Sequence, residues 1–170
     1  MLHQDIYPFQ FHIIYIKKKK SNIYLKKWLS KINPHGIILS GGEDIGTNKI
    51  RDEGEFFLIN YSIKNNIRIL GICRGMQIIA KYFGSTLFKV KNHVNKSHFI
   101  KNQNKKIIVN SFHNLAIKNC PKNFKVGFKT EDNVIESIHS LNGRMEGWMW
   151  HPERYKKFKP FDIRSFKRLF

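Results

Sequence analysis

The 170-residue chain carries 31 Lys and Arg against 12 Asp and Glu, a net charge of +19, and is 41% hydrophobic. One hydrophobic core is expected from that length and a second full domain is not, so residues 1–170 read as a single domain. No apolar stretch approaches the ~20 residues of a membrane-spanning helix, and no secretory signal pattern opens the chain, so a cytoplasmic protein without a membrane partner is expected.

In chain order, Phe11 to Ile16 reads as a strand, Lys17–Lys20 as a turn, and Asn22 to Ile32 as a helix with Leu25, Trp28, Leu29 and Ile32 on one face. A strand at Ile37–Leu39 leads through an acidic, polar loop ending near Asn48 to a helix over Asp52 to Lys64, with Phe56, Ile59 and Ile63 inward. The apolar run Ile67-Arg68-Ile69-Leu70 enters Gly71-Ile72-Cys73-Arg74-Gly75, and Met76, Ile79, Ala80 and Phe83 follow at helical spacing. This alternation predicts an α/β fold with a mainly parallel sheet and helices on both faces. From Ile107 the pattern turns strand-rich, with Ile107–Val109, Phe124–Phe128, Val134–His139 and Met145–Trp150 separated by turns such as Asn142-Gly143.

A pI near 10.1 raises nucleic-acid binding as a function. Against it, the lysines are spread along the chain apart from Lys17–Lys20, no helix-turn-helix, zinc-finger or RNA-binding signature is present, and the aromatics fall in apolar runs. No specific nucleic-acid partner is expected. The two cysteines, Cys73 and Cys120, make no disulfide framework.

Cys73 is the most informative residue. Glycines two positions to either side leave room for a strained strand-to-helix turn that lifts a nucleophile out of a sheet, and the following helix N-terminus is expected to lower the thiol's pKa. Read alone, the same pattern fits a small core residue in a βα turn. At the far end, Gly147-Trp148-Met149-Trp150-His151-Pro152-Glu153 closes a strand with an imidazole and a carboxylate, a base and its orienter. Pro152 is expected to hold His151 extended.

Five segments in order carry a family resemblance: Leu39-Ser40-Gly41-Gly42-Glu43-Asp44-Ile45; Arg51-Asp52 with Glu55; Gly71-Ile72-Cys73-Arg74-Gly75-Met76-Gln77; Val109-Asn110-Ser111-Phe112-His113; and Trp150-His151-Pro152-Glu153-Arg154. Together they resemble the class I glutamine amidotransferase-like domains, in the γ-glutamyl hydrolase branch (peptidase C26) that includes γ-glutamyl-GABA hydrolase. Lys91-Asn92-His93-Val94 and the segment Met149–Tyr155 look most like the γ-glutamyl-CDP-amidate hydrolases of capsule biosynthesis. The resemblance implies a doubly wound, flavodoxin-like, mainly parallel sheet. It also implies that the usual first strand and helix are missing, an expected N-terminal truncation that Leu2 to Phe9 or a partner would have to fill.

The resemblance further implies a catalytic triad of Cys73, His151 and Glu153, with an oxyanion hole from the backbone N–H groups of Gly42 and Arg74. Gln77 would bind the glutamyl end. Lys91, His93, Lys96 and His98 could receive a diphosphate, with Ser111 and His113 in the substrate wall, although read alone the first four more often mark a solvated loop and a structural pair explains Ser111 and His113 nearly as well. The spacing of His93, His98 and His113 matches no common zinc site, so neither a metal nor a cofactor is expected. Three functions stay open: a stand-alone hydrolase of a small γ-glutamyl substrate, with or without a linked nucleotide; a glutaminase subunit serving a synthase; and a basic binding protein or inactive relative. No residue pattern gives the oligomeric state.

Overall fold

Apolar spacing in the first described element sets the pattern: Leu25 and Leu29, one helical turn apart, are buried on helix α1 (Ser21–Ile32). The computed structural model describes residues 21–170, so the expected strand Phe11–Ile16, the turn Lys17–Lys20 and the segment Leu2–Phe9 lie outside the described residues. Strand β1 (Gly36–Leu39) is followed by helix α2 (Lys49–Asn65). The α2 helix begins ahead of the expected Asp52 because Asn48 caps it, its side chain accepting from the Arg51 N–H at 3.1 Å, and ends at Asn66 in the left-handed region.

Strand β2 (Arg68–Ile72) and helix α3 (Arg74–Tyr82) come next, then β3 (Leu87–Lys89), β4 (Val94–Lys101), β5 (Lys106–Phe112), β6 (Leu115–Ile117), β7 (Phe124–Thr130), β8 (Ile135–Ser140) and β9 (Met145–Trp148). A 3-10 turn over Pro152–Arg154 leads to helix α4 (Pro160–Leu169). The segment holding Lys96 and His98 is therefore strand β4 rather than a solvated loop. It pairs with β5 over almost its whole length, which fixes its exposed residues in a sheet.

Among the described residues the main sheet has seven strands in the order β1-β2-β9-β8-β7-β4-β5. Its parallel part is β1, β2 and β9; β8, β7, β4 and β5 extend it through antiparallel pairings, so the α/β sheet is mixed. Adjacent β2 residues face opposite ways, as a pleat requires. Ile69 joins Leu29, Ile59 and Ile79 under the first three helices, while Leu70 and Ile72 join Trp148, Trp150 and Leu169 under α4. Complete burial of Ile69, at 0% exposure, contributes about 1.5–3 kcal/mol. The Trp148 and Trp150 rings stack at 5.4 Å, and the Trp150 Nε1–H donates to Asp162 Oδ1 at 3.0 Å, which ties α4 to the segment between β9 and His151. No described helix is long and apolar enough to cross a membrane.

Candidate active site

Strands β2 and β9 run parallel with Ile72 beside Trp148, so the residues that follow them leave the same edge of the sheet. Cys73 is the first residue past β2, and its N–H donates to Trp148 O at 2.6 Å. Ligand sites of open α/β sheets lie at this carboxyl edge. Cys73 has φ 49° and ψ −103°, a conformation that costs a non-glycine residue on the order of 1–3 kcal/mol and survives only under firm surroundings. The flanking glycines supply them. A Cβ on Gly71 would lie 2.4 Å from the Gly75 carbonyl, and one on Gly75 would lie 2.0 Å from Leu39 O. Any side chain at either position would push α3 off the sheet.

The thiol itself differs from expectation. Burial pushes Cys73 up to about 11, outweighing the Arg74 N–H that favours the thiolate, and the charge of Glu136 adds to the rise. The helix terminus acts in the expected direction, but desolvation of the buried sulfur is larger. A thiol pushed up this far favours its protonated form near neutrality, so any attack by the sulfur would call for a base. Iodoacetamide alkylation of Cys73, followed by mass spectrometry on the folded protein, is expected to climb about tenfold per pH unit from neutrality and to level off only near the thiol's own pKa. A plateau at or below pH 8 would contradict this assignment.

His151 leaves the same edge of the sheet three residues past β9. Its backbone is extended, φ −111° and ψ 88°, as the residue before Pro152 should be. Asn110 on β5 clamps it from both sides: the His151 N–H donates to Asn110 Oδ1 and the Asn110 side-chain N–H donates to His151 O, each at 2.8 Å. Its Nδ1 lies 2.6 Å from Glu153 Oε1, which fixes the tautomer with Nε2 free to exchange a proton. Burial opposes ionisation of Glu153, yet the contact with His151 and a backbone N–H hold the carboxyl below its usual range. The Phe112 ring stands edge-on to the imidazole, and a Cβ on Gly41 would lie 2.6 Å from its Cε1, so only glycine at that position leaves the ring its place.

Gly42 is oriented by a buried ion network that the sequence marked without assigning it a role. Arg51 Nη2 donates to Ser40 O and Gly41 O, both at 3.0 Å, and its Nε donates to Glu55 Oε1 at 2.9 Å. The peptide is trans, so with the Gly41 carbonyl held by Arg51, the Gly42 N–H points away from that side chain. Glu55 and Asp52 both pair with the Arg74 guanidinium, which is 1% exposed. One network thus braces the Gly41-Gly42 turn and the elbow together.

Of the remaining expected residues, Gln77, Ser111 and the three histidines meet in one cluster, while Lys91 stays at the surface. Gln77 is buried, and its side-chain N–H donates to Leu115 O at 2.9 Å. Ser111 is buried and donates to His93 O at 2.5 Å. His93, His98 and His113 gather around Glu136, a residue that sequence reasoning did not single out. Burial opposes the charge of Glu136, but His113, His93 and His98 hold its carboxyl well below the usual range. Glu136 raises the His93 imidazole's pKa against burial, with help from Asp132. Lys91 is exposed and lines a shallow cleft with Phe88 and Asp132. A larger groove of about 710 Å³ runs along the α4 side past Trp148, Phe166 and Glu153, with mostly apolar walls unsuited to a charged substrate.

An elbow cysteine, a carboxylate-oriented histidine just past the neighbouring parallel strand and a Gly-Gly turn against its ring thus lie at one edge of the sheet. The chain belongs to the class I glutamine amidotransferase family, whose model matches residues 1–166. Among curated relatives it is similar to a γ-glutamyl-CDP-amidate hydrolase of Campylobacter jejuni, 38% identical over 124 residues that cover 69% of this chain and 62% of that protein. The chain thus spans less than two thirds of that relative's length. It is also similar to a subunit of the glutamine-hydrolysing GMP synthase of Pyrococcus abyssi, 31% identical over 74% of this chain and 69% of that one. A solved glutamine amidotransferase of Thermotoga maritima shares the fold, with a TM-score of 0.60 at 24% identity over 78% of this chain and 58% of that one.

Proposed function

We propose that this protein is a cysteine hydrolase that cleaves a γ-glutamyl amide or phosphoramidate bond and releases glutamate. The observation that carries the reading is His151, held by Asn110, oriented through Nδ1 by Glu153 at 2.6 Å, and set three residues past the strand that pairs with β2 ahead of the Cys73 elbow. The Cys73 sulfur attacks the γ-carbonyl carbon while His151 Nε2 takes the thiol proton. Developing negative charge on the carbonyl oxygen is met by the backbone N–H groups of Gly42 and Arg74. Collapse breaks the carbon–nitrogen bond, and the leaving nitrogen takes the proton back from His151. Water then attacks the thioester, giving its proton to His151; the carbon–sulfur bond breaks, and the sulfur is reprotonated as glutamate leaves.

Similarity to the Campylobacter jejuni hydrolase favours γ-glutamyl-CDP-amidate as substrate. Similarity to the Pyrococcus abyssi GMP synthase supports a second reading, a glutaminase subunit that is nearly silent without its synthase. The two are separated by assaying glutamate release from γ-glutamyl-CDP-amidate, γ-glutamyl-GABA and glutamine side by side, with wild type and Cys73→Ala. Release from the nucleotide substrate that disappears in Cys73→Ala is the expected result. Preference for γ-glutamyl-GABA would change the leaving group. No release from any of the three by folded protein would overturn the stand-alone hydrolase.

A further inference from the structure

Behind the elbow, three histidines from separate stretches of chain converge on one fully buried carboxylate. His93 precedes β4, His98 lies on it, His113 follows β5, and Glu136 is on β8. Their hydrogen bonds determine which ring nitrogens carry protons. His113 Nδ1 lies 3.0 Å from Leu115 O, and only a protonated nitrogen can donate to a carbonyl. In the neutral ring, Nε2 is then a lone pair, and it faces Glu136 Oε1 at 3.2 Å. His93 Nε2 is committed to Asp132 Oδ2 at 3.2 Å, so its Nδ1 lone pair also faces Glu136 Oε1, at 3.6 Å. His93 Nδ1, His98 Nε2 and Glu136 Oε2 are buried without a hydrogen-bond partner among the described residues.

Ring nitrogens turned on one buried carboxylate call for something positive between them, a proton on each ring or one shared metal ion. We infer that His93, His113 and Glu136 form a binding site for a divalent transition-metal ion of the zinc type, with His98 at its open side. The ligand atoms of His93, His113 and Glu136 all lie within 4.8 Å of one another. Tetrahedral zinc with bonds of about 2.0–2.1 Å places its ligand atoms roughly 3.4 Å apart, close to the 3.2 and 3.6 Å found here. The outer bonds fit as well. Metal-bound histidines turn their other nitrogen onto a carboxylate or a backbone carbonyl, the roles that Asp132 and Leu115 fill. Imidazole with carboxylate suits zinc better than calcium or magnesium. The frame is fixed in advance: Ser111 Oγ donates to His93 O at 2.5 Å, the His113 N–H donates to His93 O at 3.1 Å, and Gln77 holds Leu115 O.

This inference stands independently of the proposed reaction. The test uses the full chain without a histidine tag, stripped with chelator and checked for fold by circular dichroism. Titration with zinc is expected to load about one equivalent per chain, and cobalt(II) in its place to give the intense visible bands of a low-coordinate site. His93→Ala and His113→Ala should each remove those bands, and Glu136→Gln should weaken them. Should these variants fail to fold, X-ray absorption at the zinc edge of the wild type still decides, because two or three imidazoles at about 2.0 Å support the site. Absence of stoichiometric binding by the folded wild type, a spectrum unchanged in the histidine variants, or fewer than two imidazoles on the metal would each overturn it.

Discussion

Glu55→Ala is expected to destabilise the fold by about 3–5 kcal/mol, the cost of leaving a buried charge without its partner. Arg74 is 1% exposed and cannot turn to water; its two guanidinium branches rest on Glu55 and Asp52, and Glu55 also holds Arg51. Removing Glu55 therefore leaves one branch of the buried Arg74 guanidinium without its carboxylate and frees the Arg51 Nε. Asp52 is more exposed than Glu55 and bonds Arg74 through one branch, so Asp52→Ala should cost less. Urea unfolding followed by tryptophan fluorescence measures both, and Glu55→Ala should lower the midpoint by more than ~1 M. The exposed pair Lys106–Glu131 is the comparison. A shift for Glu55→Ala no larger than that for Glu131→Ala would show that the network does not brace the elbow.

Local pattern made several parts of this arrangement legible. The elbow is written in Gly71, Cys73 and Gly75, because each glycine is needed within a few residues of the turn it permits. His151 and Glu153 sit two residues apart at the start of a 3-10 turn, so their contact needs no tertiary information beyond the local backbone that Pro152 imposes. The face of α1 was equally plain. What escaped is what depends on distant pairing. Strand β4 reads as a polar loop because most of its side chains are exposed, and only its ladder with β5 makes it a strand. Helix α4 has only ten residues and owes its place to burial of Leu169 and to Asp162 beneath Trp150. The histidine cluster has no legible spacing because its centre, Glu136, arrives on another strand. For the same reason the sequence suggested no metal there. The sign of the Cys73 shift was missed because a helix N-terminus is visible in sequence and depth of burial is not.

His151→Ala is expected to lower kcat by about 10⁴–10⁶-fold, the scale of losing one member of a catalytic unit. With Cys73 pushed up to about 11, little thiolate exists near neutrality, and in the proposed reaction the imidazole accepts the proton as the carbon–sulfur bond forms. Glu153→Gln should cost less, on the order of 10–10³-fold, because a group 51% exposed leaves room for water to take over at Nδ1. Asn110→Ala tests the positioning role. It removes both bonds that hold the His151 backbone, and a displacement of about 1 Å there is enough for a roughly 10²-fold loss in kcat. Because Asn110 bonds the His151 backbone rather than its ring, KM should change far less than kcat in that variant. Steady-state kinetics on whichever γ-glutamyl compound the wild type prefers measures all three. A His151→Ala enzyme within tenfold of wild type would remove the imidazole from the mechanism, and equal losses in KM and kcat for Asn110→Ala would make that residue a general structural support instead.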